Sequence, residues 1–341
     1  MEEQVINIDF FDRAIHEIEN NFNNVLHEID PDLQMRMNIP ECQIIPGDEL
    51  PRHSASLSNN FTCMALNISS LKENFLSLQI NITDHFAPTV LGLCETKLTN
   101  ELQDLYNLSG YNMYTNNNMS NKGGVCLFIN DRLTVVPRPE LSFIRPGIET
   151  LFVDIYCDNE VKTIGMVYRR ASEISVENFS LEMNEIFGGI DVAHNKVYIM
   201  GDFNVNLLQN HRSNSVADYC NNFISHGMYP LITKPTRTAA GSATLIDNIF
   251  TNEVNCVTRS AVIISDVSDH YPIFIQKPIS HEYRNPTVIT YRKYNDRNIQ
   301  NFKEVLRAYD FNEIQSTANS NYAFTQLHNV LIEILRSISR L

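Results

Sequence analysis

The chain has no tryptophan, no Cys-x-x-Cys pair and no apolar run approaching the roughly 20 residues that a membrane-spanning helix requires. The last absence argues against a helical span, and the acidic start Met1-Glu2-Glu3 lacks the basic and apolar regions of a secretory leader. The expected setting is intracellular, unsecreted and without a membrane partner. Seven cysteines, at 42, 63, 94, 126, 157, 220 and 256, fall mostly inside apolar strand-like stretches, as reduced core residues do. They form neither a zinc pattern nor a disulfide frame. A basic excess is missing too, since 26 Lys and Arg oppose 40 Asp and Glu for a net charge of −14. That balance weighs against a broad basic face for nucleic acid. Its distribution is uneven: residues 1–60 hold 12 acids and 3 bases, residues 61–277 hold 22 and 15, and residues 278–341 hold 6 and 8. Part of the central excess would serve a metal site, where a cation offsets it.

What is present is a folded chain of 341 residues, 43% hydrophobic, long enough for one large core. Phe11, Ile15, Ile18, Phe22 and Val25 recur at helical spacing, so an amphipathic helix is expected before Pro31. Residues 31–60, with four prolines, read as an irregular linker, giving a first segment of 1–60. From Phe61 short β-rich runs follow: 61–68, 89–94, 125–129, 151–157, 161–168, 196–200, 244–250, 261–264 and 273–275. A helical face of Val176, Phe179, Met183, Ile186 and Phe187 and a second helix over 215–226 lie among them. Many strands with few helices favour an α/β sandwich of two mixed β-sheets over a singly wound sheet. After Lys277 the strands stop, and Leu327, Leu331, Ile334 and Ile338 mark a helical tail within 278–341.

Polar residues recur where these runs end: Asn67, Glu95, Tyr168, Asp202 with Asn204, Asp247 with Asn248, and Asp269 with His270. Each has an ordinary reading alone. Glu95-Thr96-Lys97 could open a helix, Asn67 and Gly201-Asp202-Phe203-Asn204 could be turns, Tyr168 could be a strand tyrosine, and Asp269-His270 a simple hydrogen bond. Polar groups repeatedly placed at one end of a sheet need partners, however, and a shared site supplies them.

The ordered set Leu66-Asn67-Ile68, Glu95-Thr96-Lys97, Tyr168, Gly201-Asp202-Phe203-Asn204, Leu245-Ile246-Asp247 and Ser268-Asp269-His270 resembles the endonuclease/exonuclease/phosphatase superfamily. The strings Gly123-Gly124-Val125, Met166-Val167-Tyr168-Arg169, Lys234-Pro235-Thr236-Arg237 and 244–252 look like the apurinic/apyrimidinic-like endonuclease domain of non-LTR retrotransposon polyproteins. The resemblance spans residues 61–277 and implies a four-layered sandwich, two mixed sheets flanked by helices. It departs at Leu66, where a tryptophan often stands, and at Arg170-Ala171, where prolines commonly follow in that branch.

The resemblance also implies the chemistry. Glu95 would hold Mg²⁺, or Mn²⁺ in its place, with Asn67 and Asp269 completing or orienting the shell. Asp202 would deprotonate the attacking water, Asn204 would position water or phosphate, and Tyr168 would bond the phosphate. His270, held by Asp247 or Asp269, would donate to a phosphate oxygen. DNA is the implied partner, nicked to a 3′-hydroxyl and a 5′-phosphate, with no small-molecule cofactor. A nuclear or cytoplasmic location follows from that substrate. The tail resembles the start of a connector to a reverse transcriptase, yet no adjacent Asp-Asp pair of a polymerase palm occurs, as expected of a fragmentary or host-derived copy. The terminal helices would allow self-association. Two other readings share these residues: a phosphatase or phosphodiesterase acting on another substrate, and an inactive remnant that only binds.

Overall fold

The structure, a computed structural model, describes residues 40–51, 60–118, 122–157, 160–210, 212–239, 242–278, 296–316 and 320–338. The helix expected over Phe11–Val25 lies outside the described residues. Two compact units divide the chain, Met1–Tyr283 and Arg284–Leu341.

The first unit is built on two large mixed sheets. One carries, in spatial order, β1 (Cys42–Pro46), β15 (Arg259–Ile264), β16 (Ile273–Pro278), β2 (Asn60–Asn67), β3 (Val90–Cys94), β5 (Val125–Asn130) and β4 (Tyr111–Asn116). The other carries β11 (Tyr229–Pro230), β14 (Asp247–Thr251), β10 (Lys196–Asp202), β9 (Glu160–Arg169), β8 (Ile148–Cys157) and β6 (Thr134–Pro137), with β7 (Ile144–Arg145) on β8. A small hairpin, β12 (Arg237–Ala239) and β13 (Ser242–Thr244), stands apart. The two-residue period of β2 shows the layering. Phe61, Cys63 and Ala65 enter the core shared with the second sheet, and Met64 and Leu66 enter the core under α1 (Leu71–Leu78). Ser70 caps α1 by accepting from Glu73 N at 3.4 Å. On the far side of the second sheet, α2 (Val176–Gly188) and α3 (Asn214–Ser225) bury an aromatic group in which Phe223 meets Phe250 at 4.1 Å and Phe187 at 5.1 Å. Helix, sheet, sheet, helix is the expected four-layered sandwich, and all five predicted members of the α2 face lie on that helix.

Two expectations need correction. Residues 31–60 are not wholly an irregular linker, because Cys42–Pro46 pairs in parallel with Ser260–Ile264 as an edge strand. Pro46 closes this edge strand and Pro40 and Pro51 lie outside it, positions where proline is tolerated. The run 244–250 is not one strand: Ser242–Thr244 pairs with Arg237–Ala239, while β14 begins at Asp247 against β10. Between them the carbonyls of Leu245 and Ile246 accept from Leu207 N and Phe203 N instead of continuing a ladder. Glu95 itself lies in the irregular segment after β3, at φ 52°.

In the second unit, helices span Asp296–Ala308, Asn312–Ser316 and Ser320–Ile338. The four apolar residues read as its helical mark lie on the last, with Ile334 buried.

Candidate functional site

Topology gathers the polar strand ends. β2 and β3 run parallel, so Asn67 and the residue after Cys94 finish at one edge of the first sheet. β9 and β10 run parallel too, with Tyr168 opposite Asp202, and antiparallel β14 starts at that edge with Asp247 opposite Asp202. His270 precedes β16, which is antiparallel to β2 and begins opposite Ala65.

The side chains then meet. Asn67 Nδ2 donates to Glu95 Oε1 and to Asp202 Oδ2, each at 2.9 Å, so one buried amide joins the two sheets. Its Oδ1 accepts from Ser69 N at 3.0 Å. Tyr168 donates to Glu95 Oε1 at 2.8 Å, and Asn204 N donates to Asp202 Oδ1 at 2.9 Å. Burial and the neighbouring Glu95 raise the Tyr168 hydroxyl far above its ordinary value, so it stays a donor. His270 Nδ1 lies 2.9 Å from Asp247 Oδ2, whose oxygen also accepts from Thr236 Oγ1 at 2.6 Å. His270 Nε2 faces Asp202 Oδ2 at 4.0 Å.

The electrostatics follow from that crowding. Burial, then the charge of Asp247 on the next strand, raises Asp202 to about 7 despite His270 and the Asn67 donor. For His270 burial alone would favour the neutral ring, but Asp247, Asp202 and Asp269 outweigh it and carry it up to about 9. The arrangement is a base near neutrality beside an imidazolium.

Backbone strain is concentrated at the same place. Among the described residues the non-glycine positions in the left-handed region are Ser69 (φ 58°), Glu95 (52°), Lys97 (53°) and Asn204 (48°), all at this edge. Each costs on the order of 1–3 kcal/mol, a pattern typical of functional sites. The Glu95 turn is braced from behind, as Thr96 N and Lys97 N donate to the carbonyls of Gly124 and Gly123. Both glycines have positive φ, and a Cβ on Gly124 would lie 2.5 Å from Thr96 Oγ1. Gly124 N in turn donates to buried Glu149, which pairs with Arg170. Arg170 thus anchors the loop where the related branch carries prolines.

Seven expected site residues form one cluster: Asn67, Glu95, Tyr168, Asp202, Asn204, Asp247 and His270. Among the described residues Asp269 joins the cluster by hydrogen bond through Ser69: its Oδ1 accepts from Ser69 Oγ at 3.1 Å and its Oδ2 from Arg237 Nη2 at 2.5 Å, and it is half exposed. Burial notwithstanding, His270 and Arg237 keep Asp269 below the usual carboxylate range. Asn248 is structural, its Oδ1 accepting from Leu231 N and Ile232 N at 3.2 Å. Thr236, Ser69, Glu149 and Arg169 are supporting residues that residue-by-residue reading missed. For Thr236 a signal existed, the Lys234-Pro235-Thr236-Arg237 string.

Residues 64–270, more than half of the chain, match the Endonuclease/Exonuclease/phosphatase family. The chain belongs to that family. No curated protein matches it. Similar solved structures include the AP endonuclease LMAP of Leishmania major, 14% identical over 67% of this chain and 89% of that one, with a TM-score of 0.51. The endonuclease domain of TRAS1, a telomere-specific non-LTR retrotransposon, is 13% identical over 64% of this chain and 99% of that domain, with a TM-score of 0.50. At such identity these likenesses establish the fold, that of an endonuclease/exonuclease/phosphatase protein, whose members are hydrolases that typically use divalent metals.

The residues present fit such an ion. Glu95 commits Oε1 to Asn67 and Tyr168, and among the described residues its Oε2 meets just the Lys97 ammonium at 3.9 Å, which leaves a hard oxygen to offer a cation. The ligand atoms of Asp202, Asp247 and His270 also lie within 4.8 Å of one another. There the His270 proton already bridges to Asp247, and a cation would have to displace it, which makes the Glu95 side the better seat.

Proposed function

We propose that the chain is a Mg²⁺-dependent endonuclease, retrotransposon-derived, that nicks DNA to leave a 3′-hydroxyl and a 5′-phosphate. The observation that carries this reading is the continuous hydrogen-bonded set Glu95–Asn67–Asp202–Asn204 with the Asp247–His270 pair 4.0 Å away. Phosphodiester hydrolysis needs a base for water and a cation for the phosphate oxygens, and this set offers both.

Asp202, ionised above about pH 7, accepts the proton of the attacking water as that oxygen bonds to phosphorus. Asn204 fixes the Asp202 carboxylate through Oδ1. His270 donates from Nε2 to a non-bridging phosphate oxygen, held charged by Asp247 on Nδ1. Tyr168 donates to the phosphate when it leaves Glu95. The P–O3′ bond breaks, the departing oxygen takes up a proton from solvent water, and Asp202 returns to solvent the proton it accepted. Glu95 would hold the divalent ion, with Asn67 orienting that carboxylate through Nδ2 and Asp269 steadying Asn67 through Ser69. When bound, the ion neutralises charge developing on the phosphate and the leaving oxygen.

The Tyr168-Arg169 and Lys234–Arg237 strings support DNA over a lipid or inositol phosphate, because the site residues alone do not separate substrates within this family. A panel tests this: nicking of supercoiled plasmid against phosphate release from inositol and sphingolipid substrates, each with Mg²⁺ and with EDTA. Turnover of plasmid alone is expected, and preferential release from a lipid or inositol substrate replaces the reading with a phosphatase.

A further inference from the structure

We propose that Arg169, which contacts neither water nor phosphate in the scheme above, is a positioning residue that sets the aim of Asp202 from behind the sheet. The inference rests on the endonuclease reading. Arg169 follows Tyr168 on β9, so the two side chains leave opposite faces. Tyr168 turns to Glu95, and Arg169, only 3% exposed, lies over the Phe179 ring at 5.7 Å in the layer beneath the site.

Among the described residues its guanidinium donates to two main-chain carbonyls and to no carboxylate. Nη1 reaches Asn204 O at 2.9 Å, Nη2 reaches Ile174 O at 2.7 Å, and Nε has no partner. The contact with Asn204 is reciprocal, for Asn204 Nδ2 donates back to Arg169 O at 2.8 Å. Asn204 stands at φ 48° and donates its own N–H to Asp202 Oδ1. A closed ring therefore runs from the Arg169 side chain through the Asn204 backbone and amide to the Arg169 carbonyl, with the Asp202 carboxylate hung from it. The ring holds a turn that would otherwise relax from the left-handed region.

Burying a guanidinium with no hydrogen-bonded carboxylate is costly, and an apolar replacement would remove that cost while stranding the two carbonyls it serves. What the guanidinium alone supplies is the hold on the Asn204 turn from which Asp202 hangs. Misplacing a catalytic group by about 1 Å costs roughly a hundredfold in rate.

The test uses the full chain with Arg169→Met and Arg169→Lys. Three quantities are read: kcat and KM for nicking supercoiled plasmid with Mg²⁺, the melting temperature, and hydrogen-exchange protection of the Asn204 amide. Arg169→Met, which leaves the Asn204 and Ile174 carbonyls unpaired, is expected to melt somewhat below wild type, keep KM within about twofold, lose roughly 10- to 100-fold in kcat and lose Asn204 protection. Arg169→Lys, able to reach one carbonyl, should recover part of kcat and part of the protection. Unchanged kcat, or kcat lost together with stability while Asn204 stays protected, overturns the inference. If Arg169→Met does not fold, Arg169→Lys decides by the same measures. If the wild type nicks nothing, the endonuclease reading fails, and Asn204 protection in the variants still decides whether Arg169 holds the turn.

Discussion

At the scale of single residues the site is a balance between Asp202, Asp247 and His270. Opposed carboxylates on neighbouring strands repel, and His270 offsets this by bonding one and facing the other. Because the folded pKa of His270, about 9, stands above the ordinary value of about 6.5, its bond contributes stability in full below pH ~6.5. That contribution declines as pH rises through about 9. Thermal melts of the EDTA-treated protein from pH 6 to 10 should show the wild type losing up to about 3 kcal/mol, and Asp247→Asn should flatten the slope. Equal slopes would contradict the assignment of Asp247 as the group that raises His270. Tyr168→Phe removes one donor to Glu95 and should slow nicking about tenfold while melting within a few degrees of wild type. These partners were legible in the sequence because each chemistry-bearing residue sits at the end of an apolar run. Glu149 was not, since a buried glutamate inside a strand announces no partner until the strands are paired, and for Arg169 the Met166-Val167-Tyr168-Arg169 string marked the position but not its partner Asn204.

Elements hold those residues by close approach. Gly201 has φ 147°, and a Cβ there would lie 1.8 Å from the carbonyl oxygen of Val167 on β9. The glycine lets β9 and β10 come together so that Tyr168 and Asp202 finish side by side. Gly201→Ala should cost about 3 kcal/mol or more in urea unfolding and should lower nicking with it. A loss below about 0.5 kcal/mol would show that the strands can part without harm. The long interior strands and α2 were readable from apolar runs and helical spacing. By contrast β4 (Tyr-Asn-Met-Tyr-Thr-Asn) is a half-exposed edge whose polar residues break the pattern, β6 (Thr-Val-Val-Pro) is a short and largely exposed edge, and α1 has too few turns for its spacing to stand out. Edge position, a tertiary fact, decided those segments.

At the scale of the molecule, β1 extends the nuclease-like fold ahead of the residue where the strand pattern first becomes legible. Cys42–Pro46 covers the edge of β15, leaving no bare ladder beside the strands that lead to His270. A chain beginning at residue 60 should melt lower and aggregate more readily than one beginning at residue 40, as scanning calorimetry and light scattering would record. Equal melting would show that β1 adds nothing to the sheet. Of the acids at the site, Asp202 and Asp247 are buried and faced by His270, so their charge is answered within the protein. The central claim is that this edge hydrolyses DNA phosphodiesters. Its most direct test is relaxation of supercoiled plasmid by the wild type, Asp202→Ala and His270→Ala, all shown to be folded, with Mg²⁺ and with EDTA. The account predicts Mg²⁺-dependent nicking that falls at least about a hundredfold in each variant and stops in EDTA. Nicking that proceeds equally in all three proteins, or that EDTA leaves untouched, would contradict it.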